Sequence, residues 1–517
     1  MKNARRNRLL VCLFIGIAFM FGTLAQEAGA DTFNVSGDGD YNTIQGCIDA
    51  SLDGDICLVG PGIYPENLII TKGITLRSTD GAASTIIDGT NSGRVVHVLG
   101  EQNNTLSGAV LDGFTITNGT APDGLGGGIY IQLAETLIID CEIMGNSALS
   151  GGGIAAYNKA DMRIVDSSVT GNTATGKLNS GIELNCIAPI YSFTLEGGGG
   201  ITIDCSSFGR IARSTISGNS AIGNGGGIRT SVSLVSNNFS FVTGNISLAS
   251  GGGIASVDTD YIFNTNVVAN NSANIGGGIY ADVNLMYIVN STISDNTAAA
   301  GGGLYAEPDR TVRIVNTILY GNTSSPVFNL NTCIGYSDIE GGFAGEGNID
   351  FDPSFVDAPN GNYDLNSDSP CIDTGTSDAS TCGIVSGLLP EDIEGTPRPQ
   401  AGYYDMGAYE TLCVPTDDRE KGKRCRDGID NDCDNLVDGE DPDCGGPVCT
   451  PTEPTESICD DGIDSDCDGA TDCADTADCD ADPFCQQPDC ADHTDKASCD
   501  ADPDCRWKKK QQVCVNR

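Results

Sequence analysis

The sequence is short of the groups that carry proton transfer and nucleic-acid contact: it has 2 His and 1 Trp in 517 residues, and 27 Lys and Arg against 71 Asp and Glu. A formal net charge of −44 excludes a basic footprint for nucleic acid or an anionic membrane surface, and favours cations. Long apolar runs are also missing. Beyond the first thirty residues none is long enough to span a membrane, and no helical periodicity persists over a core helix's length. Helical bundles and helical repeats are therefore excluded. Glycine is plentiful, with 68 residues, and so is cysteine, with 23, of which 14 lie from Cys413 onward.

The glycines are organised. Three glycines and an aliphatic residue recur at Gly126–Ile129, Gly151–Ile154, Gly198–Ile201, Gly225–Ile228, Gly251–Ile254, Gly276–Ile279 and Gly301–Leu304, the aliphatic residues spaced 25, 47, 27, 26, 25 and 25 apart. A second column, Asn146, Asn172, Asn219, Asn245, Asn271, Asn296 and Asn322, keeps the same beat with steps of 26, 47, 26, 26, 25 and 26. Two columns with one period of about 25 mark a repeating unit. Each unit holds only short β-type runs such as Val312–Val315, which suits one rung of a parallel β-helix. Ile129 is then expected to stack on Ile154, and Ile254 on Ile279 and Leu304, as an inward ladder of about 4.8 Å per step. The Asn column is expected in a turn, in the αL conformation, bonding along the stack. The double step places an insertion between Thr173 and Gly197.

Lys2, Arg5, Arg6 and Arg8, the apolar run Leu9–Phe21 and the small-residue site Ala28-Gly29-Ala30 read as a secretory signal peptide over residues 1–30. Removing it leaves 22 cysteines, an even, tail-concentrated set that suggests disulfides formed outside the cytoplasm. Tyr41–Ser51 reads as a short amphipathic helix with Ile44, Cys47 and Ile48 on one face, the expected cap over the first coil. Cys47 and Cys57 are placed to bridge the junction that follows it.

The run TIQGCIDASLDGDICLVGPGIYPENLIITKGITLRS resembles the opening of right-handed parallel β-helix proteins of the pectin lyase-like superfamily, and the repeat resembles that of polymorphic outer membrane proteins. GNIDFDPSFVDAPNGNYDLNSDSPCIDTG followed by DIEGTPRPQAGYYDMGAYE resembles the choice-of-anchor Q segment found after bacterial secreted β-helices, which implies a secreted or cell-surface location. The expectation is an all-β, right-handed parallel β-helix over 31–346 with an N-terminal helix cap, a closing segment over 347–412 at the far end, and a disulfide-rich tail. Within the insertion, Cys186 is a partner for Cys205.

The tail divides into Cys/Asp-rich repeats over 413–488 and a small disulfide module over 489–517 that contains Trp507. CRDGIDNDCDNLVDGEDPDC and CDDGIDSDCDGATDCADTADC are two copies of one design, resembling the metal-binding repeat of bacterial secreted proteins. Asp430, Asp432, Asp434, Asp438 and Asp441 fall at positions 1, 3, 5, 9 and 12 of a loop, as do Asp464, Asp466, Asp468, Asp472 and Asp475, with the carbonyls of Leu436 and Ala470 at position 7. All-oxygen donors in this alternation favour a hard cation, Ca²⁺. The competing reading is solvating charge in a stapled spacer.

In the coil, Asp112, Asp140 and Asp166 each precede an Asn by six residues. They are either a column bridged by a cation, as in the Ca²⁺-dependent polysaccharide lyases of the resembled superfamily, or solvated turn carboxylates. Lys159 and Arg163 are the nearest bases in sequence, without a catalytic motif around them. His97 reads as a satisfied polar residue. Tyr130, Tyr280 and Tyr305 follow the glycine phrase and should face outward, Tyr280 and Tyr305 on adjacent rungs as a platform for a sugar ring. These readings favour a structural or adhesive protein contacting carbohydrate or cell-surface material, with a Ca²⁺-dependent lyase or glycoside hydrolase as the alternative and no catalytic residue assigned.

Overall fold

The computed structural model describes residues 30–100, 106–176, 183–185, 192–194, 197–326, 332–378, 380–383, 388–400, 403–412, 505–508 and 513–516. The chain divides into two units, Met1–Leu412 and Cys413–Arg517. In the second, Cys505–Lys508 and Val513–Asn516 pair as an antiparallel hairpin with Trp507 opposite Cys514.

The first unit is a right-handed parallel β-helix. One coil shows the plan: Ile129–Gln132, Ala134–Ile139, Glu142–Met144 and Ser147–Ser150 lie in four different sheets, each strand parallel to its counterpart one coil on. We number them by where Ala134–Ile139 (sheet 1, 12 strands), Glu142–Met144 (sheet 2, 11 strands) and Ile129–Gln132 (sheet 3, 9 strands) fall, with a short fourth sheet of 5 strands. Residues at positive φ turn the chain at the corners: Leu133 (φ 54°), Asp140 (φ 51°), Gly145 (φ 65°) and Gly151 (φ 65°).

The aliphatic ladder runs as expected, Ile129 opposite Ile154 and onward to Leu304, each essentially buried. The glycine phrase has two separate causes. Gly151 needs positive φ, whereas a Cβ on Gly152 would lie 2.4 Å from the Thr173 carbonyl oxygen and one on Gly153 3.0 Å from Asn172 Nδ2. The two sequence columns therefore touch in space. The Asn side chains are interior: Asn172 Oδ1 accepts from Asn146 N (3.0 Å) and Nδ2 (3.1 Å), Asn219 Oδ1 from Asn172 in the same way, and the ladder continues to Asn322. The expectation that Asn itself takes αL is corrected, because the residue before it does so, as at Gly145, Gly171, Gly218 and Gly244. That frees Asn to point inward and satisfy carbonyls the turn would leave unpaired, such as Val169 O.

Helix α1, Ile44–Ala50, covers the first coil with Ile44, Cys47 and Ile48 buried. Residues of the next coil hold both its ends: Glu66 accepts from the N–H groups of Ile44 and Gln45, while Lys72 Nζ donates to the carbonyls of Ile48, Asp49 and Ser51. The Gln45 carboxamide bonds both backbone groups of Ile69 (2.9 and 3.2 Å), serving as one residue of an added strand on the outermost strand of sheet 3. Cys47 and Cys57 form the expected disulfide.

At the far end Asn348 repeats the device, bonding Ser337 N and Ile334 O (both 3.1 Å) over the last strand of sheet 1, and Phe343 packs on the core. The expected closure by the whole of 347–412 is corrected here. Only its first residues close the end, while the rest returns along the flank as a strap over the outer faces of sheets 1 and 2. Tyr363, Ala408 and Tyr409 pack on Val267 and Ala269, Ala408 N donates to Thr292 Oγ1 (3.0 Å), and Gly407 N to Asn316 O (2.9 Å). A second disulfide, Cys333–Cys382, pins the strap to the last coil.

Candidate functional site

Strand alternation decides what sheet 3 shows to solvent. Ile279 and Leu304 point in, so Tyr280 and Tyr305 point out and face each other across one rung. Their rings stack with centroids 5.9 Å apart and planes 18° from parallel. Tyr280 Oη donates to Glu307 Oε1 at 2.8 Å, which fixes the ring's orientation. Burial, then that bond and the Glu307 charge, hold the Tyr280 phenol above its ordinary range, so it remains a neutral donor. Beside the pair, Arg310 bonds Asp282 and reaches Asp258 at 3.4 Å.

The same outward column begins with a second aromatic group. His97 stacks on Tyr130 at 4.9 Å, and the Arg94 guanidinium lies 4.9 Å from the Tyr130 ring centre. His97 departs from the sequence reading: its Nε2 is buried without a hydrogen-bond partner among the described residues. Burial, then the charge of Arg94, lowers its pKa to about 4, so the imidazole is neutral at pH 7. Between the two aromatic groups the column is covered, Ala155, Thr202, Arg229 and Ala255 all being buried. There Arg229 holds Asp204 at 2.7 and 2.5 Å, both side chains 6% exposed, a pair that sequence reasoning missed. Desolvation raises the Asp204 pKa and Arg229 opposes it. The adjacent Cys205 is disulfide-bonded, and its expected partner Cys186 lies outside the described residues.

The carboxylates expected as one column occupy two. Asp112 ends a strand opposite Ile139, whereas Asp140 and Asp166 sit one residue later, in the αL corner. The next corner residue is Arg213, brought one rung from Asp166 by the insertion and bonded to it at 2.7 and 2.8 Å. Asp112 is likewise paired, with Arg77 at 2.6 Å. The Asp166 bond raises the Arg213 pKa, so this guanidinium is held protonated. Asp140 is raised by burial and by Asp112 and Asp166. Lys159 and Arg163 are not the bases beside Asp140 and Asp166; Arg163 reaches Asp161 instead, at 3.6 Å. Among the described residues no three His, Cys, Asp or Glu side chains converge as a metal site. The tail loops at Asp430–Asp441 and Asp464–Asp475 lie outside the described residues.

No family model matches the chain. A cell surface glycoprotein of Methanothermus fervidus is 30% identical over 149 residues, which are 28% of this chain and 22% of that protein. Thus the match spans under a quarter of the relative. Among solved structures, pectate lyase Pel9A is 12% identical with a TM-score of 0.44, covering 74% of this chain and 96% of that one. XylC in complex with xylose is 10% identical with a TM-score of 0.42, covering 74% and 98%. Among the described residues no helix is long and apolar enough to cross a membrane.

Proposed function

We propose that this chain is a secreted or cell-surface solenoid with a structural or adhesive role, contacting carbohydrate or other cell-surface material through the outer face of sheet 3. The observation that carries this reading is the stacked pair Tyr280 and Tyr305. Two near-parallel rings on a rigid sheet offer the apolar face of a sugar ring a preorganised surface, while Glu307 and Asp282 border it with acceptors for hydroxyls. The name of the partial relative, a cell surface glycoprotein, agrees with the location.

The alternative, a Ca²⁺-dependent lyase or hydrolase, draws on the Asp112, Asp140 and Asp166 carboxylates. It is disfavoured because Arg77 and Arg213 beside them are committed to ion pairs. The same proposal assigns Ca²⁺ to the two tail loops, on the all-oxygen donor set of their sequence.

A glycan array and whole cells, probed with the mature chain and with Tyr280→Ala/Tyr305→Ala, test the platform. The chain should bind, and the double variant should bind about 10-fold more weakly, as loss of two stacking contacts implies. Equal binding by both proteins, or none by either, would overturn the reading.

A further inference from the structure

The strap leaves a concavity where it stops covering sheet 2. On the outer face of that sheet Thr215, Phe241 and Val267 follow one another rung by rung, with Thr243 beside Phe241 on its own strand. The strap's turn at Ala358–Asn360 flanks these side chains and leaves an open depression of about 700 Å³ beside them. We propose that this depression is a second carbohydrate site, open enough to take a neutral glycan lying along sheet 2.

Three observations select that ligand. First, Thr, Phe, Val, Asn, Tyr, Gly and Pro line the site, and none of them carries a charge, in a chain whose net charge is −44. A cation finds no carboxylate there, and a uronate enters against the field of the whole chain. Second, the lining mixes polar and apolar groups. An apolar ligand would strand the hydroxyls of Thr215 and Thr243 and the amides of Asn270 and Asn360, whereas a sugar ring brings a C–H face for Phe241 and a hydroxyl rim for the amides.

Third, both amides already have a partner for their N–H groups within the protein. Asn270 Nδ2 donates to Tyr363 Oη (3.0 Å), which donates to Asp295 Oδ2 (3.0 Å), and the Tyr363 ring stands edge-on to Phe355 with centroids 5.2 Å apart. Asn360 Nδ2 is held by Asp357 Oδ2 at 2.8 Å. Each amide keeps its carbonyl for a ligand. The site does not depend on the tyrosine platform, which belongs to a different sheet.

The test uses the full mature chain carrying Tyr280→Ala/Tyr305→Ala, so that only this site is read, titrated calorimetrically with cellohexaose, mannohexaose and hexagalacturonate. At least one neutral hexasaccharide should bind, hexagalacturonate should not, and adding Thr243→Arg, which fills the cavity from an exposed sheet face, should weaken binding by about 10-fold or more. Asn360→Ala, on the surface turn, serves as the second variant and should weaken the same ligand. Absence of neutral-glycan binding in this background, preference for the uronate, or unchanged affinity in both variants would overturn the proposal. Failure of the platform reading has a different signature, equal binding before and after the tyrosine substitutions.

Discussion

The strap should be tighter in acid and loosen as pH rises from 4.5 to about 7. The end of the strap buries Arg398 and Glu410 fully, 3.4 Å apart, together with Asp392 and Asp405. Arg398 donates to the carbonyls of Asp405 and Gly407, and Glu410 accepts from the N–H groups of Gln400 and Asp405. One guanidinium thus faces three carboxylates. Burial, then the charge of Asp405, raises the Glu410 pKa from 4.5 to about 7 against the pull of Arg398.

Between pH 4.5 and 7 the folded strap therefore holds a proton that the released strap does not. With more protons bound in the folded state, stability falls as pH rises through that window and is level above it. A shift of this size corresponds to roughly 3 kcal/mol. Asp338, buried against Cys371 and raised to about 6, chiefly by burial, acts in the same direction. Amide hydrogen exchange of residues 392–410, corrected for intrinsic rates, should show protection falling about 100-fold from pH 5 to pH 8 if opening is local. Glu410→Gln should remove most of that slope. Protection that rises with pH, or a slope that survives the substitution, would refute the reasoning.

Two further outcomes are expected. Asn219→Ala takes the partner from Val169 O and from both donors of Asn172 inside a fully buried ladder, and should cost roughly 3 kcal/mol or more in urea unfolding; Asn322→Ala, at the partly exposed end, should cost clearly less. Ca²⁺ should bind the mature chain with measurable heat that falls in Asp464→Asn/Asp466→Asn, and a chelator should reverse it; identical heats in the two proteins would remove Ca²⁺ from that loop.

Sequence periodicity made the solenoid legible because each coil repeats the same two demands, an inward aliphatic residue and a glycine where coils nearly collide. Tyr280 and Tyr305 were legible for the same reason, since alternation fixes the face once Ile279 and Leu304 are known to point inward. The carboxylates were misread because spacing alone does not separate a strand end from an αL corner one residue later, and Asp112 and Asp140 fall on opposite sides of that step. Arg213 was hidden by the insertion, which puts 47 residues between partners that the fold places one rung apart. The strap's position depends on pairs far apart in sequence, such as Ala408 with Thr292, which no local pattern records.

Yet the strap does leave a mark on the sequence it covers. From Ser168 onward the outward column of sheet 2 reads Ser168, Thr215, Phe241, Val267, Thr292 and Ile318 along the axis. It is hydroxyl-bearing where the sheet is open, becomes apolar where the strap lies on it, and keeps one hydroxyl, Thr292, where a strap N–H needs an acceptor. An inward column must pack or pair inside every coil and so says little about function. An outward column is free to vary, and each change in its character marks something laid against the coil. By that criterion the partly exposed pair Tyr280 and Tyr305 on sheet 3, with no described strap residue packed on it, agrees with the contact we propose there.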